Sequence, residues 1–187
     1  MNKLYAIVGM AGSGKSTVAE IAKEKGFGFL RFGQITIDEV RARGLDVTAE
    51  NEKMVREDIR AHEGMGGYAK RMIPKFDDLL KISSVVADGL YSWAEYKILK
   101  EYYGDRMLVV CIFVPPELRY QRLEARVTDM NDVAHNKRQL TRDQAKARDY
   151  AEIENIEKGG PIAMADITIQ NTGTMEAFLD DLRKYIV

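Results

Sequence analysis

One cysteine, Cys111, is too few for an internal disulfide or a thiolate zinc site. Four prolines in 187 residues, with no repeat and no low-complexity stretch, leave no linker between independently folding units. Neither sign of charge dominates. The 28 Lys+Arg and 29 Asp+Glu give a formal net charge of −1, which excludes a generally basic nucleic-acid coat and an acidic disordered tail. No run approaches the roughly 18 apolar residues of a membrane-spanning helix. Met1-Asn2-Lys3-Leu4 leads into a strand-like segment with no signal-peptide pattern. The 45% of hydrophobic residues suffices for the core of one compact domain. The expectation is a soluble, cytoplasmic monomer or homodimer with no membrane and no nucleic-acid partner.

Apolar runs alternate with helical patterns along the chain. Lys3–Val8, Phe27–Phe32, Val85–Ala87, Met107–Val114 and Ile167–Gln170 read as strands, and Lys15–Lys25 as a helix closed by Gly26. Ser92-Trp93-Ala94-Glu95 and Thr141-Arg142-Asp143-Gln144 have the capping-box pattern, in which side chains satisfy free backbone N–H groups at a helix start. Pro116 suits a first helical turn, where its missing N–H costs nothing. Strands apolar on both faces, alternating with helices, predict a parallel sheet covered on both sides. Gln34–Ile82 has room for two or three helices, and the polar stretch Thr128–Leu140 reads as a mobile loop between helices. Inserts at such places serve ligand closure or are plain surface elaboration.

Gly9-Met10-Ala11-Gly12-Ser13-Gly14-Lys15-Ser16 fits G-x-x-x-x-G-K-[ST], the Walker A phosphate loop, between a strand and a helix as that motif requires. Its glycines let the backbone wrap so that successive N–H groups face one concavity, at the positive end of the following helix. Gly9, Ala11, Gly12, Ser13, Gly14, Lys15, Ser16 and Thr17 are the candidate nucleotide-binding residues. Lys15 would meet the β- and γ-phosphates, and the Ser16 hydroxyl would ligate Mg²⁺. Binding of a nucleoside triphosphate does not fix the fate of the phosphate. A GTPase needs Asn-Lys-x-Asp, and the sole candidate, Asn136-Lys137-Arg138-Gln139, has Gln139 in place of the carboxylate. Transporter-type and motor ATPases are normally longer. A small-molecule kinase needs a second pocket and arginines that neutralise charge during transfer.

Arg119, Arg122 and Arg126 recur at helical spacing on one face, followed by Arg138, Arg142 and Arg148. Guanidinium forks bind phosphate oxygens bidentately, and the cluster reads as a cover over a triphosphate; the alternative is a solvated, ion-paired face. Val85-Val86-Ala87-Asp88-Gly89 is an apolar strand ending in a carboxylate. Asp88 would hold Mg²⁺, directly or through water, or accept a proton from the acceptor; the alternative is a strand-end turn. Cys111 reads as a small core residue. His62 and His135 lack ligand-like companions.

These motifs, with Arg60 to Ala69, Leu118-Arg119-Tyr120-Gln121-Arg122-Leu123, Arg148-Asp149-Tyr150-Ala151-Glu152 and Ala165-Asp166 leading to Ile169-Gln170-Asn171, resemble P-loop nucleoside-monophosphate kinases. The resemblance lies with the adenylate-kinase-related, dephospho-CoA-kinase-like group. It implies an α/β chain with a three-layer P-loop NTPase fold and a five-stranded parallel sheet. It further implies a core of 1–33, 83–127 and 141–187, an acceptor-binding helical insert at about 34–82 and a lid at about 128–140. The implied activity is Mg²⁺- and ATP-dependent transfer of the γ-phosphoryl group to a nucleotide or nucleoside-monophosphate-like acceptor. The alternatives are a dephospho-CoA-type hydroxyl kinase, or a non-catalytic nucleotide-binding module or slow NTPase. Lys15, Asp88, Arg119, Arg122 and Arg148 would be catalytic. Two departures remove charge from the acceptor side. Phe32-Gly33-Gln34 stands where relatives carry Gly-Asp and then an arginine, and Leu90-Tyr91 stands where an arginine is usual. Arg31, Arg41 or Arg60 would then grip an acceptor phosphate, while Gln34 and Tyr91 would hydrogen-bond a base or sugar.

Overall fold

The apolar runs lie side by side as parallel strands in the computed structural model, which describes residues 1–126 and 139–187. The strands are β1 (Leu4–Val8), β2 (Gly28–Arg31), β3 (Val85–Asp88), β4 (Met107–Phe113) and β5 (Ile167–Gln170), in the order β2-β3-β1-β4-β5. The helices among the described residues are α1 (Val18–Glu24), α2 (Phe32–Ala42), α3 (Ala49–Glu63), α4 (Gly67–Leu80), α5 (Trp93–Tyr103), α6 (Pro116–Glu124), α7 (Arg142–Ile156), α8 (Gly159–Ala163) and α9 (Met175–Tyr185). The lid expected at about 128–140, with His135, Asn136 and Arg138, lies outside the described residues except for Gln139 and Leu140. Among the described residues no helix is long and apolar enough to cross a membrane.

The alternation of side chains along each strand sorts the core into two layers. Leu4, Ala6, Val8, Ala87 and Val109 face α2 to α5, where Phe32, Met72, Phe76 and Leu99 are buried against them. Tyr5, Ile7, Val86, Val110 and Ile112 face α1 and α9 and pack on Ile21, Phe178 and Leu182. The sheet is therefore apolar on both faces, as a parallel sheet between two helical layers must be. Register brings the functional strand ends together: Ile7 pairs with Asp88, and Arg31 pairs with Asp88 from the other side.

Both expected capping boxes form, at Ser92/Glu95 and Thr141/Gln144. Several boundaries differ from the sequence reading. Phe32 opens α2 instead of ending β2, because Arg31 is an extended N-cap and the Phe32 ring turns under the sheet to meet Phe76 at 5.9 Å. The helix read from Lys15 begins as a 3-10 turn, Lys15–Thr17, and becomes α-helical at Val18. β3 runs one residue further, through Asp88, and β4 stops before Val114. Arg126 lies beyond α6, which ends at Glu124, so it does not extend a helical arginine stripe.

α6 and α7 are clasped by a buried ion pair. The Arg119 guanidinium donates to both carboxylate oxygens of Asp149, at 3.0 and 2.7 Å, and to Val114 O and Ala11 O, each at 3.1 Å. Tyr120 Oη donates to Asp149 Oδ2 at 3.0 Å. Removing one partner of such a pair leaves an uncompensated charge in a dry place. Asp149→Ala is expected to destabilise the fold by about 3–5 kcal/mol in urea denaturation; a loss below about 1 kcal/mol, typical of an exposed pair, would contradict the clasp.

Candidate functional site

Between β1 and the 3-10 turn, the loop winds through three glycines of positive φ: Gly9 at 142°, Gly12 at 81° and Gly14 at 95°. A Cβ on Gly9 would lie 2.5 Å from Ile112 O, and one on Gly14 would lie 2.4 Å from Asn171 Nδ2. Two carbonyls of the loop are drawn outward. Ala11 O accepts from Arg119 Nη1 at 3.1 Å, and Ser13 O accepts from Asn171 Nδ2 at 2.9 Å. In a trans peptide the N–H points opposite to its C=O, so the Gly12 and Gly14 N–H groups face away from these partners, into the concavity. The Ser13 hydroxyl is buried with no hydrogen-bond partner, and the Lys15 ammonium donates to Met10 O at 2.9 Å. Ser16 is exposed and Thr17 part-exposed at the start of the helical turn.

Beside the loop lies a cluster of charge. Asp88 Oδ1 is buried without a hydrogen-bond partner, and burial raises its pKa against the pull of Lys15, Arg31 and Lys158. Gly89, at φ 93°, lets the chain turn so that the Tyr91 ring folds back against it. Lys158 is 1% exposed; its ammonium sits 4.6 Å from the centre of the Tyr91 ring and donates to Glu152 Oε2 at 2.5 Å. The other oxygen of Glu152 accepts from Arg148 Nε at 2.9 Å. Burial alone would raise the Glu152 pKa, yet Lys158 and Arg148 hold it down to about 2. Lys15 is pushed down to about 7, first by burial and then by repulsion from Lys158, with Asp88 and Glu152 opposing. Lys15, Arg31, Arg148 and Lys158 gather around Asp88 and Glu152, and Asp149 also acts on Arg148 and Lys158.

The structure thus places Lys15, Asp88, Arg31, Tyr91 and Arg148 together. Arg119 is a correction: its donors are spent on Asp149, Val114 O and Ala11 O, so it braces the loop from outside instead of reaching a transferred group. Gln34 is also displaced, because α2 begins at Phe32 and turns its amide outward to Asp38 Oδ1 at 2.8 Å. Arg122 is part-exposed on α6. Arg60 belongs to the insert, 5.9 Å from the Tyr68 ring centre, with its charge felt by Glu95. Sequence reasoning missed Lys158 and gave no role to Glu152 and Asn171, which it named only within the family-like motifs. The i,i+4 spacing of Arg148 and Glu152 was visible; nothing local marks Lys158 as buried. Among the described residues no group of three or more His, Cys, Asp or Glu could hold a metal alone. Mg²⁺ would therefore come with the nucleotide, and Ser16 and the unpartnered Asp88 are suitable oxygen donors.

A family model described as "AAA domain" matches residues 6–144. A UPF0200/UPF0201 protein of Archaeoglobus fulgidus is 37% identical over 99% of this chain, which spans 55% of that protein's length. A UPF0200 protein of Methanosarcina mazei is 33% identical over 98% of this chain and 93% of its own length. The chain belongs to the UPF0200 family and carries an AAA domain. In fold, this UPF0200 chain is similar to the shikimate kinase of Bacteroides thetaiotaomicron: TM-score 0.58, 12% identity, covering 97% of this chain and 95% of that one. The fold is that of P-loop small-molecule kinases, and the loop of this UPF0200 chain implies nucleotide binding.

An anion entering this site favours the charged form of Lys15, so nucleotide binding above pH 7 takes up protons and weakens as pH rises. Calorimetry of MgATP binding at pH 8, in Tris and in HEPES, is expected to show uptake of up to about one proton per site. Heats independent of the buffer would mean that Lys15 is already charged.

Proposed function

We propose that the protein is a Mg²⁺-ATP-dependent small-molecule kinase, with the acceptor bound between the ends of β2 and β3 and the insert formed by α2 to α4. The observation that carries this reading is the cluster of cations beside the phosphate loop, with the buried, unpartnered Asp88 at its centre. A module that only binds nucleotide needs the loop. Charge extending past the loop toward a second pocket is what phosphoryl transfer requires.

The loop N–H groups and Lys15 hold the β- and γ-phosphates, and Arg31 and Arg148 offset the charge that spreads over the moving group. Mg²⁺, held by Ser16 and Asp88 with the phosphates, would neutralise the β- and γ-oxygens. A phosphate acceptor is already nucleophilic at neutral pH, so the protein need only align it with Arg31 and Arg60 and keep water out. The kinase-type motifs from Gly9 through Asn171 favour a nucleoside-monophosphate-like acceptor. The raised pKa of Asp88 favours a second reading, a hydroxyl acceptor. There Asp88 takes the hydroxyl proton while the new O–P bond forms and ADP leaves.

The test is a panel of nucleoside monophosphates, nucleosides, dephospho-CoA, shikimate and gluconate, each incubated with γ-labelled ATP. Label transferred to a monophosphate supports the first reading, and label on a hydroxyl acceptor supports the second. Slow release of inorganic phosphate alone makes the protein a switch or a slow NTPase. Lys15→Ala is expected to lower turnover at least about 10²-fold, the scale of losing one transition-state donor; wild-type turnover in this variant removes the kinase mechanism.

A further inference from the structure

Lys158 is the lone lysine or arginine among the largest fully buried side chains. A buried ammonium is costly unless its charge is matched; Glu152 matches it here, yet accepts only one of its three N–H donors among the described residues. Glu152, its one ion-pair partner among the described residues, also pairs with Arg148, whose side chain is half exposed to solvent. The Tyr91 face, 4.6 Å away, adds a cation–π contact but no charge.

The backbone around Lys158 is also arranged at a cost. Glu157, just before it, is the single non-glycine of positive φ among the described residues, at φ 53° and ψ 39°. Any residue with a Cβ is strained there, and such strain persists where the surrounding structure imposes it. The turn ends α7 and sends the chain back into α8. Gly160 is needed next, because a Cβ would lie 2.7 Å from the Trp93 ring, which itself stacks on Tyr96 at 4.9 Å. α8 is thereby clamped onto α5, and Lys158 is aimed at the loop that carries Asp88 and Tyr91.

We propose that Lys158 is a second phosphate-contacting lysine of this site, meeting the γ-phosphate of bound ATP opposite Lys15, with Glu152 as its positioning residue. This rests on the kinase reading above and deepens it. Glu152 accepts one N–H of the ammonium, and the terminal phosphate would accept another. ADP, which lacks that phosphate, would not.

The experiment measures binding of ADP and of the β,γ-imido analogue of ATP, both with Mg²⁺, to the full chain by calorimetry. The wild type is expected to bind the imido analogue more tightly than ADP. Lys158→Met is expected to weaken the analogue at least about 10-fold while changing ADP less than about 3-fold, and Lys158→Arg to restore part of the difference. Lys158→Met leaves Glu152 with one cation fewer; should it fail to fold, Lys158→Met combined with Glu152→Gln removes both charges and is expected to lose the same preference. The wild type gives a second readout, since the ¹⁵Nζ signal of Lys158 should shift with the analogue and not with ADP. An unchanged analogue-to-ADP ratio in the folded variants, or no selective shift in the wild type, overturns the assignment and leaves the kinase reading standing. A wild type that binds neither nucleotide overturns both.

Discussion

Peptide planarity ties the outer face of the phosphate loop to its inner face. Arg119 and Asn171 pull the carbonyls of Ala11 and Ser13 outward, and the N–H groups on the same peptide planes must then point inward. Neither brace comes from the loop itself. Arg119 belongs to α6 and is held by Asp149 of α7, and Asn171 follows β5, its own N–H bonded to Phe113 O at 3.0 Å. The shape of an eight-residue motif near the N-terminus is therefore set by residues more than 100 positions away.

The charge gathered beside the loop is the second half of the same design. Burial is costly for ammonium and carboxylate groups alike, yet Lys15, Lys158 and Asp88 lie beside one another, Lys158 paired with Glu152 and Asp88 Oδ1 with no hydrogen-bond partner. With Lys15 held near 7 instead of 10.5, the unfolded chain binds the extra proton between those values, so the empty fold gains stability as pH rises across that window. A polyphosphate relieves the same penalty at neutral pH, coupling occupancy to stability.

What the sequence made legible is what is local or periodic. The five strands, both capping boxes and the phosphate loop depend on nearest neighbours and alternation, and they form where expected, with strand ends shifted by about a residue. Asp88, Arg31 and Tyr91 could be assigned to one side because they sit at or just past strand ends, and parallel register gathers such ends. Arg119 and Lys158 went the other way for one reason: spacing gives the face of a helix but not what packs on it. The stripe from Arg119 to Arg126 looked functional, whereas α7 covers its first member and α6 ends before its last. Lys158 follows a helix end in a Glu-Lys-Gly-Gly stretch that reads as surface, and the Trp93 contact at Gly160 turns it inward.

β2 passes into α2 without a single intervening residue, since Arg31 is both the last strand residue and the helix N-cap. That junction has no slack. The backbone of Arg31 is anchored to the ladder that carries Asp88, while α3 and α4 hang from the far end of α2 through Arg43–Thr48. On the kinase reading proposed above, the distal helices can be resculpted for a new acceptor without disturbing the spacing between that arginine and the carboxylate, which would set substrate choice and chemistry on separately tunable parts of one polypeptide.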